Sequence, residues 1–171
     1  RFLKIAADEV RAAVAQVSRP RLGHDSLGPV TIGMSAKDMD RLAPSLGLEG
    51  YESNFSSDEY AFCNRWSNDA KGVSVTSTNG DPPDVVFDIR VYGEQDTGQP
   101  RLPNGVGIGS TRRQVTTNYP GGENYGGDAI NGYKVDIAGP TGLFFVFDDA
   151  DNVRILAVMA DKWLDYDETC G

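Results

Sequence analysis

Val30-Thr31-Ile32-Gly33-Met34-Ser35 opens a segment that the chain repeats further on as Val106-Gly107-Ile108-Gly109-Ser110-Thr111. In each copy a β-branched, glycine-containing lead-in precedes a short helical pattern, and Met39 of the first copy matches Val115 of the second. Two copies of one supersecondary unit indicate an architecture, because each copy brings the same order of elements. The repeat therefore predicts a duplicated fold, while it leaves the chemistry open.

Each copy is followed by segments whose apolar residues alternate as they do in β-strands. Ser35 and Thr111 are expected to cap the two short helices, because their hydroxyls can accept hydrogen bonds from first-turn amides. Residues 47–58 and the glycine-rich stretch after Pro120 are predicted to be loops. The strand candidates are residues 60–66, 73–77 and 85–92 in the first half and 132–138, 143–147 and 153–160 in the second.

A further helix is predicted at the beginning of the chain, where apolar residues recur by threes and fours over residues 2–17. We therefore predict an α+β fold, a tandem repeat of a helix plus a three-stranded antiparallel sheet, with an extra N-terminal helix. The predicted boundaries are 1–27 for the N-terminal helix and linker, 28–93 for the first repeat, 94–104 for a linker and 105–171 for the second repeat and C-terminal tail.

Strand alternation predicts which side chains face the helices, because successive side chains point to opposite faces. The residues predicted to face the helices are Val73, Val75, Val85, Phe87, Ile89, Val91, Leu143, Phe145, Phe147, Ile155, Ala157 and Met159. The first half then has a polar outer face, with Ser74, Thr76, Asp88, Arg90 and Tyr92. The second half has an apolar one, with Phe144, Val146, Leu156 and Val158, which needs a cover. The N-terminal helix is the favoured cover, and a dimer partner or a client protein is the alternative.

The composition is typical of a globular protein, with 171 residues, 39% of them hydrophobic and 24% charged. The formal net charge of −9 argues against nucleic acid as a partner, since a phosphate backbone is bound by a basic face. No apolar run approaches the ~20 residues of a membrane-spanning helix. The expected partner is another protein, and the oligomeric state stays open.

The two cysteines, Cys63 and Cys170, lie far apart in sequence. With no CxxC motif and one histidine, a metal site is not expected, so the alternatives are two thiols or one disulfide. A disulfide is favoured, and closing so long a loop stabilises a fold by ~4–5 kcal/mol in the loop-entropy model. A disulfide predicts an oxidising compartment, so we expect a periplasmic or secreted protein whose signal or anchor has been removed.

Residues that could carry chemistry have simpler explanations. His24 lies in a linker rich in glycine and proline and is interpreted as a solvated loop residue. The run Asp148-Asp149-Ala150-Asp151-Asn152 resembles part of a calcium loop, but a hairpin turn explains the same residues. No catalytic residue, metal or cofactor is predicted. The enzyme alternative is a carboxylate pair, and Asp88 with Asp136 is the pair that the sequence offers.

A contact surface is predicted from aromatic residues that stand close to charged ones, since such residues dominate protein interfaces. The loop from Tyr51 to Tyr60 combines both kinds, and the polar outer face of the first sheet adds a second group. The predicted partner-binding residues are Tyr51, Glu52, Asp58, Glu59, Arg90 and Tyr92.

The phrase Ile32-Gly33-Met34-Ser35, followed by a predicted helix and three strands, resembles the (I/V)-G-M-(S/T) opening of two families. One is the β-lactamase inhibitor protein family, which has two such units in tandem, and the other is the small outer-membrane assembly lipoproteins, which have one. The tandem form covers about residues 28–161, and Ser110 replaces the methionine in the second copy. The chain is also similar to bacterial exported proteins of unknown function that share the Gly-Pro-Val lead-in and a cysteine near the end.

The resemblance implies a protein that binds other proteins, because the inhibitor family clasps an enzyme with a concave sheet surface. We therefore expect a non-enzymatic exported protein-binding module, in the form of an enzyme inhibitor or a toxin-immunity protein. The alternative is a tethered structural component of the bacterial envelope, acting in outer-membrane or cell-wall assembly. No contact residue of the inhibitor family is matched by a motif, so none is carried over.

Overall fold

A computed structural model describes residues 21–53, 63–78, 85–94, 98–126, 130–137 and 139–160, with no description of the side chains of 51–53 and 78. The predicted N-terminal helix and C-terminal tail lie outside this part of the chain. The helices are α1 (Ala36–Leu46) and α2 (Arg112–Asn118), with a 3-10 turn at Asp69–Lys71. The strands are β1 (Ser26–Leu27), β2 (Val30–Thr31), β3 (Glu49–Ser53), β4 (Cys63–Asn68), β5 (Val73–Thr78), β6 (Val86–Tyr92), β7 (Glu123–Tyr125), β8 (Gly132–Asp136), β9 (Thr141–Phe147) and β10 (Val153–Ala160).

The described strands form one eight-stranded antiparallel sheet and a two-stranded hairpin of β1 and β2. The strand order of the large sheet is β3-β4-β5-β6-β10-β9-β8-β7. The six predicted strands are present as β4, β5, β6, β8, β9 and β10. The predicted α+β fold, a tandem repeat of a helix plus a three-stranded sheet, is nevertheless wrong.

Two findings overturn that prediction. First, β6 pairs with β10, with Val91 opposite Leu156, so the two halves share a single sheet. Second, the stretches predicted as loops contain the outer strands β3 and β7, so the described fold is mainly β with two short helices. The seam joins residues that lie far apart in sequence, and alternation within each strand does not reveal which strands pair.

Both helices begin where the sequence predicts. The Ser35 hydroxyl accepts a hydrogen bond from the amide of Asp38, and Gly47, with φ of 67°, ends α1 in the left-handed conformation that favours glycine. Thr111 and Gln114 form a capping box at the beginning of α2, in which each side chain bonds the other residue's backbone. The caps determine where each helix meets the sheet.

The helices pack on one side of the sheet, which we call the first face. Its core includes Met39 of α1 and Val115 of α2, both with no exposed surface. The residues of the large sheet in this core are Trp66, Val73, Val75, Val86, Ile89, Val91, Tyr133, Val135, Leu143, Phe145, Phe147, Val153, Leu156 and Val158.

Two β-bulges explain why part of the predicted face pattern is wrong. In β10 the register shifts between Val153 and Ile155, so Leu156 and Val158 face the core. The residues predicted to do so, Ile155, Ala157 and Met159, are not part of it. In β6 the shift opposite Thr76 and Ser77 brings Val86 into the core, whereas Val85 and Phe87, which were predicted to face the helices, are not part of it. A bulge adds one residue to one strand, so every side chain before it changes face relative to those after it.

The opposite side of the sheet, which we call the second face, is polar at one end and apolar at the other. Over β5 and β6 it contains Ser74, Thr76 and Asp88, and over β9 and β10 a small cluster of Ala157, Met159 and Phe144. These polar residues lie on the side away from the helices, as predicted, but Ser74, Thr76 and Asp88 are buried there, so the prediction of an exposed outer face is wrong for them.

Candidate functional site

β3 is an edge strand of the large sheet among the described strands. It pairs with β4, and no described strand lies on its other side. Glu49 and Gly50 are exposed, and Tyr51 and Glu52 follow in the same strand. An edge strand has a row of backbone N–H and C=O groups directed away from the sheet, which a strand of another chain can pair with.

The neighbouring residues hold β3 in a defined position. The Trp66 side chain lies directly beneath Gly50, so closely that a Cβ at Gly50 would be 2.9 Å from Trp66 Cδ1. Trp66 is 3% exposed, and its Nε1 donates a hydrogen bond of 3.0 Å to Asp40 of α1. Trp66 therefore connects Gly50 of β3 with Asp40 of α1.

The turn that leads into β3 is also fixed. The side-chain amide of Asn68 donates a 2.6 Å hydrogen bond to the carbonyl of Gly47, and Lys71 Nζ donates one of 2.9 Å to the carbonyl of Leu46. Asn68 ends β4 and Lys71 ends the 3-10 turn that follows it, and both donors satisfy carbonyls at the end of α1, which lack partners within the helix.

The structure brings together part of the predicted contact surface. Tyr51 and Glu52 lie on β3, opposite Arg65 and Asn64 of β4, while Asp58 and Glu59 lie outside the described residues. The remaining two, Arg90 and Tyr92, lie on β6, three strands in from β3. Sequence reasoning therefore found residues of the open edge without identifying it as an edge.

Arg90 has a structural contact with a buried carboxylate. Its Nε donates a hydrogen bond of 2.6 Å to Oδ2 of Asp88, which is 1% exposed. Burial raises the pKa of Asp88 above its ordinary value, and the positive charge of Arg90 opposes that rise. The other oxygen, Oδ1, has no hydrogen-bond partner in the described part of the chain.

The hydroxyl of Tyr92 donates a 2.6 Å hydrogen bond to Asp69.

The opposite edge strand, β7, is shorter and is braced by Arg112 of α2. The guanidinium donates hydrogen bonds of 3.0 Å to Asp151 and of 3.0 Å to Asn124, with a further one to Asn131. It also lies over the ring of Phe147, with Cζ 4.0 Å from the ring centre. This edge is therefore held by side chains from three other segments.

The carboxylate pair nominated as an enzyme alternative is too widely spaced. Asp88 is opposite Met159, Met159 is opposite Gly142, and Gly142 is opposite Asp136. Three strand spacings put the two carboxylate positions ~14 Å apart. Glycosidase pairs are separated by roughly 5–9.5 Å, so Asp88 and Asp136 do not form such a pair.

The remaining candidates are engaged locally. The Asp148 carboxylate accepts hydrogen bonds from the amides of Ala150 and Asn152, as expected of the hairpin turn. The residues that the structure describes include no cluster of three or more histidine, cysteine or acidic side chains suited to a metal ion.

His24 is exposed as predicted, with Nε2 3.1 Å from the hydroxyl of Tyr119. Cys63 is buried, and Cys170 lies outside the described residues, so the disulfide stays a prediction.

Comparisons with protein-family models, with curated protein sequences and with solved structures find no match for this chain. Within the described residues, no helix combines the length and the apolar character needed to cross a membrane.

Proposed function

We propose that this chain is a non-enzymatic, exported protein-binding module that engages its partner through the β3 edge. The observation that carries this proposal is the outer side of β3, on which no described strand lies, in a strand that contacts Trp66 and follows a fixed turn. A partner that adds a strand to such an edge gains main-chain hydrogen bonds, and side chains that alternate along the strand give specificity.

The residue types along β3 suit a protein partner. Glu49 is exposed, and Tyr51 has the same strand parity two residues further along. Tyrosine is enriched among the residues that dominate binding energy at protein interfaces. The acidic charge of the whole chain, −9, favours association with a basic partner. Inhibition of an enzyme or immunity to a toxin is the form of binding that we favour.

The experiment uses the similar sequences of the two edge strands. Glu49-Gly50-Tyr51 of β3 and Glu123-Asn124-Tyr125 of β7 have the same acidic and aromatic spacing. One variant combines Glu49→Lys with Tyr51→Ser, and the matched control combines Glu123→Lys with Tyr125→Ser. Each is immobilised beside the unmodified chain and exposed to envelope and extracellular fractions of the source organism. A captured protein is then purified, and its affinity is measured by calorimetry.

We expect the unmodified chain and the β7 control to bind one partner stoichiometrically, and the β3 variant to lose binding by about 30-fold or more, the effect of losing one hot-spot residue. Circular dichroism verifies that both variants fold. Equal binding by the β3 variant, or the absence of any stoichiometric partner, would contradict the proposal. A partner that is itself an outer-membrane or cell-wall component would favour the structural alternative over inhibition.

A further inference from the structure

Gly50 brings the indole of Trp66 to the β3 edge of the sheet. Gly50 is opposite Trp66 in the β3–β4 pair, so both residues are on the first face, where α1 packs. The indole fills the space that a side chain at Gly50 would need, with Cδ1 2.9 Å and Nε1 3.0 Å from an ideal Cβ. Gly50 is exposed, whereas Trp66 is buried. The polar edge of the indole therefore reaches the outermost described strand.

The carboxylate of Asp40 lies beside this edge of the indole. Asp40 is exposed on α1, and its Oδ1 accepts a hydrogen bond of 3.0 Å from Trp66 Nε1. Since Nε1 is also 3.0 Å from the Cβ position of Gly50, Oδ1 is at most ~6 Å from that position. The buried tryptophan thus holds an exposed carboxylate next to the β3 edge.

The charge of this carboxylate is not balanced within the described part of the chain. An indole N–H is an uncharged donor, so its hydrogen bond positions the carboxylate without neutralising it. The basic side chains nearby in the structure are engaged with other groups: Arg41 bonds Asp38, and Lys71 Nζ donates to the carbonyl of Leu46. Among the residues that the structure describes, no lysine or arginine forms an ion pair with Asp40.

A strand added outside β3 would bring one side chain to this carboxylate. Such a strand would lie ~4.8 Å beyond β3. Its residue opposite Gly50 would project on the first face, since directly opposed residues share a face of the sheet. Gly50 has no side chain that would stand between that residue and Asp40. A long basic side chain can lay its aliphatic part along the indole and place its charge at the carboxylate, whereas an acidic one would be repelled.

We propose that β3 selects a partner strand with a basic residue, arginine above all, opposite Gly50, and that Asp40 is the residue that recognises it. Arginine fits best because its planar fork of N–H donors matches a carboxylate. This inference rests on the proposed binding through β3 and adds the chemistry of the partner strand. Asp40→Asn isolates the charge, since the amide oxygen can still accept the hydrogen bond from Trp66.

The test uses two short synthetic peptides and NMR titration of the full, isotope-labelled chain. Both peptides alternate threonine with valine, and the central residue is arginine in one and citrulline, its uncharged counterpart of similar shape, in the other. The signals followed are the backbone amide of Gly50 and the indole N–H of Trp66. The chains compared are the unmodified protein, Asp40→Asn and the control Asp149→Asn, which removes one negative charge from the exposed turn between β9 and β10.

We expect the unmodified chain and Asp149→Asn to bind the arginine peptide about three- to fivefold more tightly than the citrulline peptide, the effect of one exposed ion pair. Salt should reduce this preference, because it screens exposed charges. Asp40→Asn should bind both peptides equally. An indole signal of Trp66 that keeps its position in the unbound variant verifies that the hydrogen bond to residue 40 is intact.

Equal affinity of the two peptides for the unmodified chain would overturn the preference for a basic residue, and this arm needs no variant. A preference that survives in Asp40→Asn would overturn the role of Asp40. Both of these results would leave strand addition at β3 standing. If neither peptide shifts the signals of residues 49–53, strand addition itself is contradicted, and the proposed function fails together with this inference.

Discussion

Asp88→Asn is expected to make the protein more stable at neutral pH and to flatten the pH dependence of its unfolding. The substitution keeps the shape of the side chain and leaves an amide oxygen that can accept the hydrogen bond from Arg90 Nε, which measures 2.6 Å in the structure. It removes a negative charge from a side chain that is 1% exposed. Taking a charge out of water is costly even when it is paired, and the neutral amide avoids that cost.

The direction in which stability changes with pH follows from the pKa of Asp88. Burial raises this pKa, and the charge of Arg90 partly lowers it. The folded state therefore holds its proton to a higher pH than the unfolded state does. Its contribution to stability is fully present below the unfolded pKa of about 3.9 and is lost as the pH rises through the folded pKa. The loss amounts to about 1.4 kcal/mol for each unit by which the folded pKa exceeds the unfolded one. The asparagine variant has no carboxyl group at this position, so its stability does not fall in this way as the pH rises.

Urea unfolding of both proteins from about pH 3 to pH 8 measures the difference, since this range brackets the titration of a carboxyl group whose pKa is raised. The free energies should coincide at the acidic end and separate as the pH rises, with the variant above the unmodified protein. Asp88→Ala is the control, because it removes the acceptor of Arg90 and should lie below Asp88→Asn at every pH, by about 1–3 kcal/mol. Parallel curves, or an unmodified protein that is the more stable one at neutral pH, would refute the reasoning.

Three further substitutions test the sheet, each by urea unfolding. Leu156→Ala should lower the free energy of unfolding by about 2–5 kcal/mol, because Leu156 is fully buried on the first face. Ile155→Ala should lower it clearly less, and equal losses would contradict the bulge in β10. Gly72→Ala should unfold the protein or destabilise it severely, since its φ is 60° and a Cβ would lie 2.0 Å from the carbonyl oxygen of Tyr92; a neutral effect would contradict this packing. Arg112→Lys should lower the free energy of unfolding by about 1–3 kcal/mol, because one ammonium cannot make all the hydrogen bonds of the guanidinium or its contact over Phe147. An unchanged urea midpoint would contradict the stabilising role of Arg112 at β7.

Local features of the fold are predictable from the sequence because they depend on near neighbours. The capping hydroxyls of Ser35 and Thr111 act within one helical turn, so the residue type is sufficient to find them. The six strands with clear apolar alternation are found for the same reason. In each case the signal and the structure that it predicts lie within a few residues of one another.

The single sheet was beyond sequence reasoning because its pairing joins distant segments. The seam between Val91 and Leu156 leaves no mark on either strand alone. The outer strands β3 and β7 are short and contain glycine, glutamate and asparagine, which are rare in strands, so no propensity distinguishes them from loops.

The candidate site was predicted in part for related physical reasons. Tyr51 and Glu52 were predicted to contact a partner because an aromatic residue beside an acidic one is typical of interfaces, and the structure places both on β3. That they lie on an open edge depends on β4 being their one described neighbour, which is again a matter of long-range pairing. Arg90 was included because strand alternation placed it on the polar outer face, and in the structure its guanidinium, 30% exposed, bonds the buried carboxylate of Asp88.

The most direct test of the central proposal is amide hydrogen exchange of the chain with and without its captured partner. The proposal predicts that the partner slows exchange in residues 49–53, where an added strand would hydrogen-bond the outward amides of β3, while residues 123–125 of β7 exchange as before. Unchanged exchange in β3 together with new protection elsewhere in the sheet would contradict it.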